Sequence, residues 1–469
     1  MGHYDSTTMV SKPTVIVMGG GVAGIATAIF LRELGYQVTL VEGRKFLGGR
    51  AFSYVRKDSS VPIDNGQHII LGCCEYFLNF IEKIDSLCHW NFQSRLNIPI
   101  RNKNGKRWYL KTSFLPYPFH FLSSLLTYRM ISFWDKINIA RAILISKLTD
   151  VSNMNISDMS FYDWLKSHHQ SERAIKNFWE FLIKPVVNDS LQNVDASVGL
   201  MFVNVGLFGS KDSAKIACST KGLTETIGKP SEDYLKRLGC NIYFGSFVKY
   251  LEVSDGRISS VHLNSGKILR SSLIVSALPF DSLAQVLNLS NIPSKTFLHS
   301  IQKLTYSPIM NVYLWYDKPI MKEQFCMVLD SPLEWVFNRT SILSINPGCG
   351  NYDNDSDIGY CVCISVSAAR EYMDWTKQDI IRFFSDEIDS VFHGANEAKI
   401  LDAVVVKQPN ATICCQPGIN TKRPSSGTPI KNFFIAGDWS DTGWPSTMEG
   451  AVRSGYKVTQ HIQALSREE

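Results

Sequence analysis

PTVIVMGGGVAGIATAIFLRELGYQVTLVEGRKFLGGR, residues 13–50, decides the fold. Its first apolar run, residues 15–18, is a short β-branched stretch of the kind that fills a buried parallel strand. Gly19-x-Gly21-x-x-Gly24 comes directly after it and opens a helix predicted over residues 23–34, in which Gly24 and Ala28 allow close packing on a sheet. Gly35 ends that helix, residues 37–41 (QVTLV) make a second strand, and Glu42 stands at its end, 18 residues beyond Gly24. Glycines at 19, 21 and 24 let the backbone approach a pyrophosphate, the helix start around Ala23 supplies free N–H donors, and Glu42 can accept from ribose hydroxyls. The pattern predicts a dinucleotide site, and an acid at 42 disfavours a 2′-phosphate.

The residues after Glu42 separate FAD from NAD. Arg44 and the Gly48-Gly49-Arg50 turn place a fixed cation where a second nucleotide phosphate can be held. This continuation from ribose acid into Gly-Gly-Arg resembles the flavin amine oxidase and phytoene desaturase superfamily. The resemblance implies FAD, held through Arg44, Gly49 and Arg50 as well as the first loop. It also implies that the Val-Pro-Ile-Asp64-Asn65-Gly66-Gln67-His68 segment passes along the flavin ring, with Gly66 allowing backbone approach and Gln67 and His68 on the substrate side, and that backbone at Val248 meets the adenine.

Near the other end, residues 432–455 read NFFIAGDWSDTGWPSTMEGAVRSG. A buried strand delivers Gly437 and Asp438 to its carboxyl end, and a helix starts near Thr447 and Met448, with Ala451 in its first turn. In flavoproteins of this class the acid takes ribityl hydroxyls, and the helix start stabilises the anionic side of the reduced ring. Together DNGQHIILGC (64–73) and AGDWSDTGWPSTMEGAVRSG (436–455) resemble one branch, the squalene-associated FAD-dependent desaturase-like proteins known as hydroxysqualene dehydroxylases. The resemblance covers about half the chain and is loose in the middle. It implies a bacterial enzyme of squalene or hopanoid synthesis that reduces hydroxysqualene to squalene, cytoplasmic or peripheral to the inner face of the plasma membrane, with a reductant for FAD that the sequence leaves open. His68 and Asp441 are the candidates for acid or orienting roles, and Asp64 and Glu449 are weaker ones; holding loops through backbone hydrogen bonds is the alternative for each acid. Trp444 is a candidate wall of the flavin.

The fold class expected is α/β: a discontinuous Rossmann-like FAD domain (12–74, 206–279 and 405–469) with an inserted α+β substrate domain (75–205 and 280–404). Residues 75–205 are rich in aromatics and helical apolar stretches, and strand-like segments at 309–316 and 360–366 are candidate cavity walls. The excursion through residues 241–253 and the turns at Asp255-Gly256 and Asn264-Ser265-Gly266-Lys267 predict a hairpin returning to an apolar strand at 272–279.

The rest of the chain bounds these expectations. Its 469 residues are 45% hydrophobic and 19% charged, well inside globular limits. A net charge of +5, spread along the chain, is too mild for nucleic-acid binding. Eleven cysteines include no zinc-ribbon spacing, so no metal site is expected and buried thiols are the better reading. Residues 1–14 lack the basic start of an export signal. Residues 114–133 are the nearest approach to a membrane span but contain two prolines, His120 and Arg129. Residues 114–147, with His120, Arg129, Lys136 and Arg141 among apolar neighbours, are instead a candidate membrane-contacting or substrate-access surface.

Three other functions fit the same residues. A carotenoid-type desaturase would run hydride from substrate into FAD. An amine oxidase would need an aromatic pair near the flavin, and a non-catalytic flavin-binding partner would never turn over. Oligomeric state is left open.

Overall fold

The computed structural model describes residues 13–56, 61–115, 119–150, 158–290, 295–344 and 359–468. The first twelve residues and three residues of the 114–133 stretch, 116–118, thus lie outside the described residues.

Short β-branched runs assemble one five-stranded sheet in the order Asn241–Tyr243, Gln37–Val41, Thr14–Met18, Leu273–Ser276, Phe433–Ile435, with every neighbouring pair parallel. Four of its strands are buried almost throughout, as expected of a sheet covered on both faces. The helix Val22–Glu33 lies on it and packs against the long helix Met448–Glu468. A Cβ on Gly455 would sit 2.8 Å from the Thr27 amide nitrogen, so glycine there sets how closely the two helices approach. The carboxyl ends of the first and last strands, about 400 residues apart in sequence, therefore meet on one edge.

The predicted strand over 241–253 is two. Gly245, at φ +62°, breaks it, so Asn241–Tyr243 closes the parallel sheet while Val248–Ser254 joins a separate meander with Arg257–Leu263 and Ile268–Leu269. The turn between the first two meander strands is Asp255-Gly256, both at positive φ.

A second sheet of seven strands is built by Ile400–Ile413, Tyr306–Tyr316, Tyr360–Ser367, Trp335–Asn338, Phe325–Leu329, Asn97–Asn102 and Arg107–Lys111. Two features depart from expectation. Residues 97–111, within the stretch characterised by its helical apolar runs, form a hairpin whose first strand runs parallel to Phe325–Leu329. The expected boundary at 404/405 falls inside the strand Ile400–Ile413, which pairs along Tyr306–Tyr316.

Alternation along this sheet sorts two environments. Met310, Val312, Leu314, Val362, Ile364 and Val336 face the helix Lys377–Val391 through Ile380, Phe384 and Ile388. Tyr313, Trp315, Cys361, Cys363, Trp335 and Phe337 take the opposite face and join a core with the helical aromatics Phe161, Trp164, Phe178, Trp179, Phe181 and Phe202. Two wide helical turns, Ile175–Glu180 and Phe202–Leu207, interrupt these helices. Among the described residues no helix is long and apolar enough to cross a membrane.

Candidate functional site

The glycine loop is held from both sides. Gly19 takes φ +105°, and a Cβ at Gly24 would lie 1.9 Å from the Gly19 carbonyl oxygen, so the loop and the helix start can touch because neither carries a side chain there. Gly21 caps the helix without a side-chain bond, leaving the first-turn N–H groups around Ala23 aimed outward. A Cβ built on Gly21 meets nothing nearer than the Gly49 Cα at 3.9 Å, so the space before that helix end is open. The Glu42 carboxylate accepts from the Gly20 amide at 2.6 Å and the Arg44 amide at 2.7 Å, which fixes its orientation at the end of the second strand. Val248 begins the meander just after Gly245 and Ser246, whose amides bond the Arg44 and Glu42 carbonyls.

The Gly-Gly-Arg turn docks on this loop. The Gly48 amide donates to the Gly20 carbonyl at 2.8 Å, and a Cβ on Gly49, at φ +60°, would lie 2.8 Å from the Gly21 Cα. From there Arg50 reaches Asp438 across 388 residues of sequence, Nη2 to Oδ1 at 2.5 Å, and also donates to the Ala411 carbonyl. Asp438 accepts in addition from the Ser446 hydroxyl. Gly437, at φ +154°, gives its amide to Ser454, and Thr447 Oγ1 accepts from the Gly450 amide at 3.3 Å, capping the helix that begins at Met448 and carries Ala451. Arg44, by contrast, is exposed, its guanidinium bonded to the Gly49 carbonyl and set over the rings of Phe46 and Phe52. The two helix starts, Glu42 and Asp438 supply the donors and acceptors that pyrophosphate, ribose and ribityl groups require, so the residues fit FAD.

The Asp64–His68 turn hangs from a residue that hydrophobic patterning did not single out. Arg339, completely buried, lies 2.9 Å from Asp64 (Nη2 to Oδ2) and donates from Nη1 to Gln67 Oε1 at 2.7 Å. Asp64 also accepts from Ser53 Oγ at 2.6 Å and the Leu223 amide at 3.1 Å. Its role is thus to tie loops together. Asn311 and Tyr313, on the large sheet, complete the support: Asn311 Oδ1 accepts from the Gln67 amide, and the Tyr313 hydroxyl donates to the Asp64 carbonyl at 3.0 Å. Asn311 Nδ2 is buried with no hydrogen-bond partner and lies 3.5 Å from where a Gly66 Cβ would be. A lone arginine in the apolar run Leu-Glu-Trp-Val-Phe-Asn-Arg339 was the signal available for this anchor.

His68 Nδ1 lies 2.6 Å from the Gly66 carbonyl oxygen, which makes Nδ1 the donor and leaves Nε2 as the acceptor of a neutral ring. Burial lowers its pKa below the ordinary histidine value; the Gly66 bond and Asp64 oppose this, while Arg50 and Arg339 add to it. Burial pushes the Cys363 thiol up to about 12 and raises Cys361 as well, so both are inert packing groups.

Three acidic or aromatic candidates stand elsewhere. Asp441 is exposed and turns its carboxylate onto the Gly443 amide at 3.3 Å, shaping its own loop. Glu449 is buried, pairs with Arg453 and accepts from the Tyr76 and Phe77 amides, tying two helices by their amino ends. Trp444 lies beneath the Arg453 guanidinium, 4.2 Å from its ring centroid.

A parallel sheet whose first and last strands bring two helix starts to one edge, with the carboxylates of Glu42 and Asp438 beside them, fits the class of FAD-dependent oxidoreductases. The chain belongs to the flavin-containing amine oxidoreductase family, whose profile matches residues 22–463. It is 26% identical to a 15-cis-phytoene desaturase of Glycine max over 98% of this chain and 82% of that protein, and 25% identical to a zeta-carotene desaturase of Synechocystis sp. over 96% and 97%. Its fold resembles that of an oxidoreductase from Methanosarcina mazei (TM-score 0.73, 17% identity, 95% of this chain and 100% of that one). A putrescine oxidase bound to putrescine shares it too (TM-score 0.72, 14% identity, 97% and 99%).

Proposed function

We propose that this flavoprotein reduces an allylic alcohol of a long isoprenoid, hydroxysqualene, to the hydrocarbon squalene. The carrying observation is the meeting of the Gln67–His68 turn with an aromatic, apolar sheet face through Asn311 and Tyr313. Bound reduced FAD supplies the hydride; the hydroxyl leaves with one proton as water, so the balance is alcohol, hydride and proton giving hydrocarbon and water.

The chain's own residues set the conditions for that exchange. Tyr313, Trp315, Trp335 and Phe337 belong to one buried aromatic core with the helical aromatics, an apolar composition suited to a thirty-carbon chain. Arg50 and Arg339 pair with Asp438 and Asp64, so the acids beside the turn are not free to hold a cationic substrate such as an amine. Their nearest carboxylates, Asp438 and Asp64, are each held by further donors. His68 is the proton-handling group at this face, and it delivers a proton in its minor protonated form. The Asp64–Cys73 and 436–455 phrases support the finer assignment to hydroxysqualene.

The phytoene and zeta-carotene desaturase relatives favour a second reading, in which the same site takes hydride out of an isoprenoid hydrocarbon and neutral His68 Nε2 accepts the proton. Anaerobic incubation of the reduced holoenzyme with hydroxysqualene separates the two. Squalene formed with reoxidation of the flavin supports reduction. A substrate that leaves reduced flavin untouched, while phytoene bleaches oxidised flavin, supports desaturation.

A further inference from the structure

We propose that residues 111–115 and 119–148 form a docking face for an anionic lipid bilayer. Helix Phe133–Leu148 presents two opposite stripes. Asp135, Ile139, Ala142 and Ser146, spaced four, three and four, point into the protein. Trp134, Ile137, Leu144 and Leu148, with Arg141 between them, form the outer stripe at the same kind of spacing. Trp134 is 71% exposed, Phe133 66% and Leu148 80%, and the adjoining segment leaves Phe114 86% and Phe119 58% exposed. Nearly half of the large exposed apolar side chains among the described residues are gathered in this segment, whereas a water-facing helix ordinarily carries polar residues on that side.

Charge selects the partner. The segment holds Lys111, Arg129, Lys136, Arg141 and Lys147 against one carboxylate, Asp135, which is buried and caps the helix through Ser132. The segment therefore carries a net charge of +4, most of the +5 of the whole chain. Lys111, Arg129, Arg141 and Lys147 are exposed among the aromatics. A second protein would match such a surface with acids set among apolar contacts. Exposed Phe and Trp within a ring of Lys and Arg fit the headgroup and acyl boundary of an anionic bilayer, where the rings insert and the cations meet phosphate. His120, grouped from the sequence with Arg129, Lys136 and Arg141 on this candidate surface, is instead buried against Phe121 and Phe208.

The same segment also packs into the aromatic core, through Tyr128, Ile131 and Ile139. On the proposed function this places a lipid surface beside the aromatic core that a long apolar substrate would contact, although docking itself does not depend on that function.

The test is sedimentation of FAD-loaded protein with vesicles of phosphatidylcholine, alone or mixed with phosphatidylglycerol. Binding to the mixed vesicles and weak binding to the neutral ones is expected, with release as salt rises. Arg129→Glu with Arg141→Glu, and separately Phe133→Ser with Trp134→Ser, should each lower the partition coefficient at least about tenfold, with the flavin absorbance unchanged as evidence of folding. Equal binding to both vesicle types, no binding, or a lipid-independent dimer abolished by the same substitutions would overturn the proposal. Catalytic activity does not enter the readout, so failure of docking and failure of the substrate assignment are distinguishable.

Discussion

Arg339 and Asp64 form an ion pair of 2.9 Å, both side chains almost completely buried, and the same guanidinium holds Gln67 at the start of the His68 turn. An isolated buried charge is costly, whereas this pair is closed by Ser53 and Leu223 on the acid side. The turn is therefore fixed by a residue 272 positions away from Gln67.

Breaking that pair should be severe. Arg339→Met strands the Asp64 charge and should cost about 3–5 kcal/mol of unfolding free energy, read from denaturant unfolding. Combining it with Asp64→Leu should recover part of the loss, because both charges are then removed together.

Gly24→Ala places a methyl group 1.9 Å from the Gly19 carbonyl oxygen. The helix start must move away from the glycine loop, and FAD affinity should fall by roughly tenfold or more. The ratio of flavin to protein absorbance after dialysis checks this.

The pH dependence derives from the lowered His68 pKa. Lowering means that the ring is neutral at pH 7 and that the protonated fraction shrinks about tenfold for each pH unit above the folded value. Reduction that draws its proton from His68 should slow steadily as pH rises from about 6.5 to about 8.5, at about that slope, and His68→Asn should flatten the profile. A rate that is level above about pH 6.5 and falls on the acid side would instead mark His68 as a proton acceptor. Single-turnover flavin reoxidation across pH gives the profile.

The fold shared with putrescine oxidase is not expected to extend to its substrate. With Asp438 and Asp64 tied to Arg50 and Arg339 and so not free to hold an ammonium group, holoenzyme given putrescine in air should release no peroxide above background.

Much of the cofactor half was legible because its signals are local. Gly19 to Glu42 lies within one strand, helix and strand, where spacing alone implies geometry. Arg50 and Asp438 were each assigned to the cofactor through separately recognised phrases, but neither phrase indicated that the two side chains pair with each other. Arg339 escaped because hydrophobic patterning reports that a segment is buried and not what a charge within it meets. The hairpin over 97–111 escaped for a related reason: its first strand pairs with Phe325–Leu329, and no local pattern encodes so distant a partner. Asp441 shows a different limit: a motif position near a cofactor loop left both an acid role and a loop-holding role open, and the direction of the side chain, onto the Gly443 amide, comes only from the fold.

Reductive dehydroxylation is tested most directly by a single anaerobic turnover of the reduced holoenzyme with hydroxysqualene in deuterated water, where the flavin hydrogen exchanges with solvent. Squalene one mass unit heavier than normal, formed at the rate of flavin reoxidation, is the predicted product. Recovery of unreacted hydroxysqualene with the flavin still reduced would contradict it.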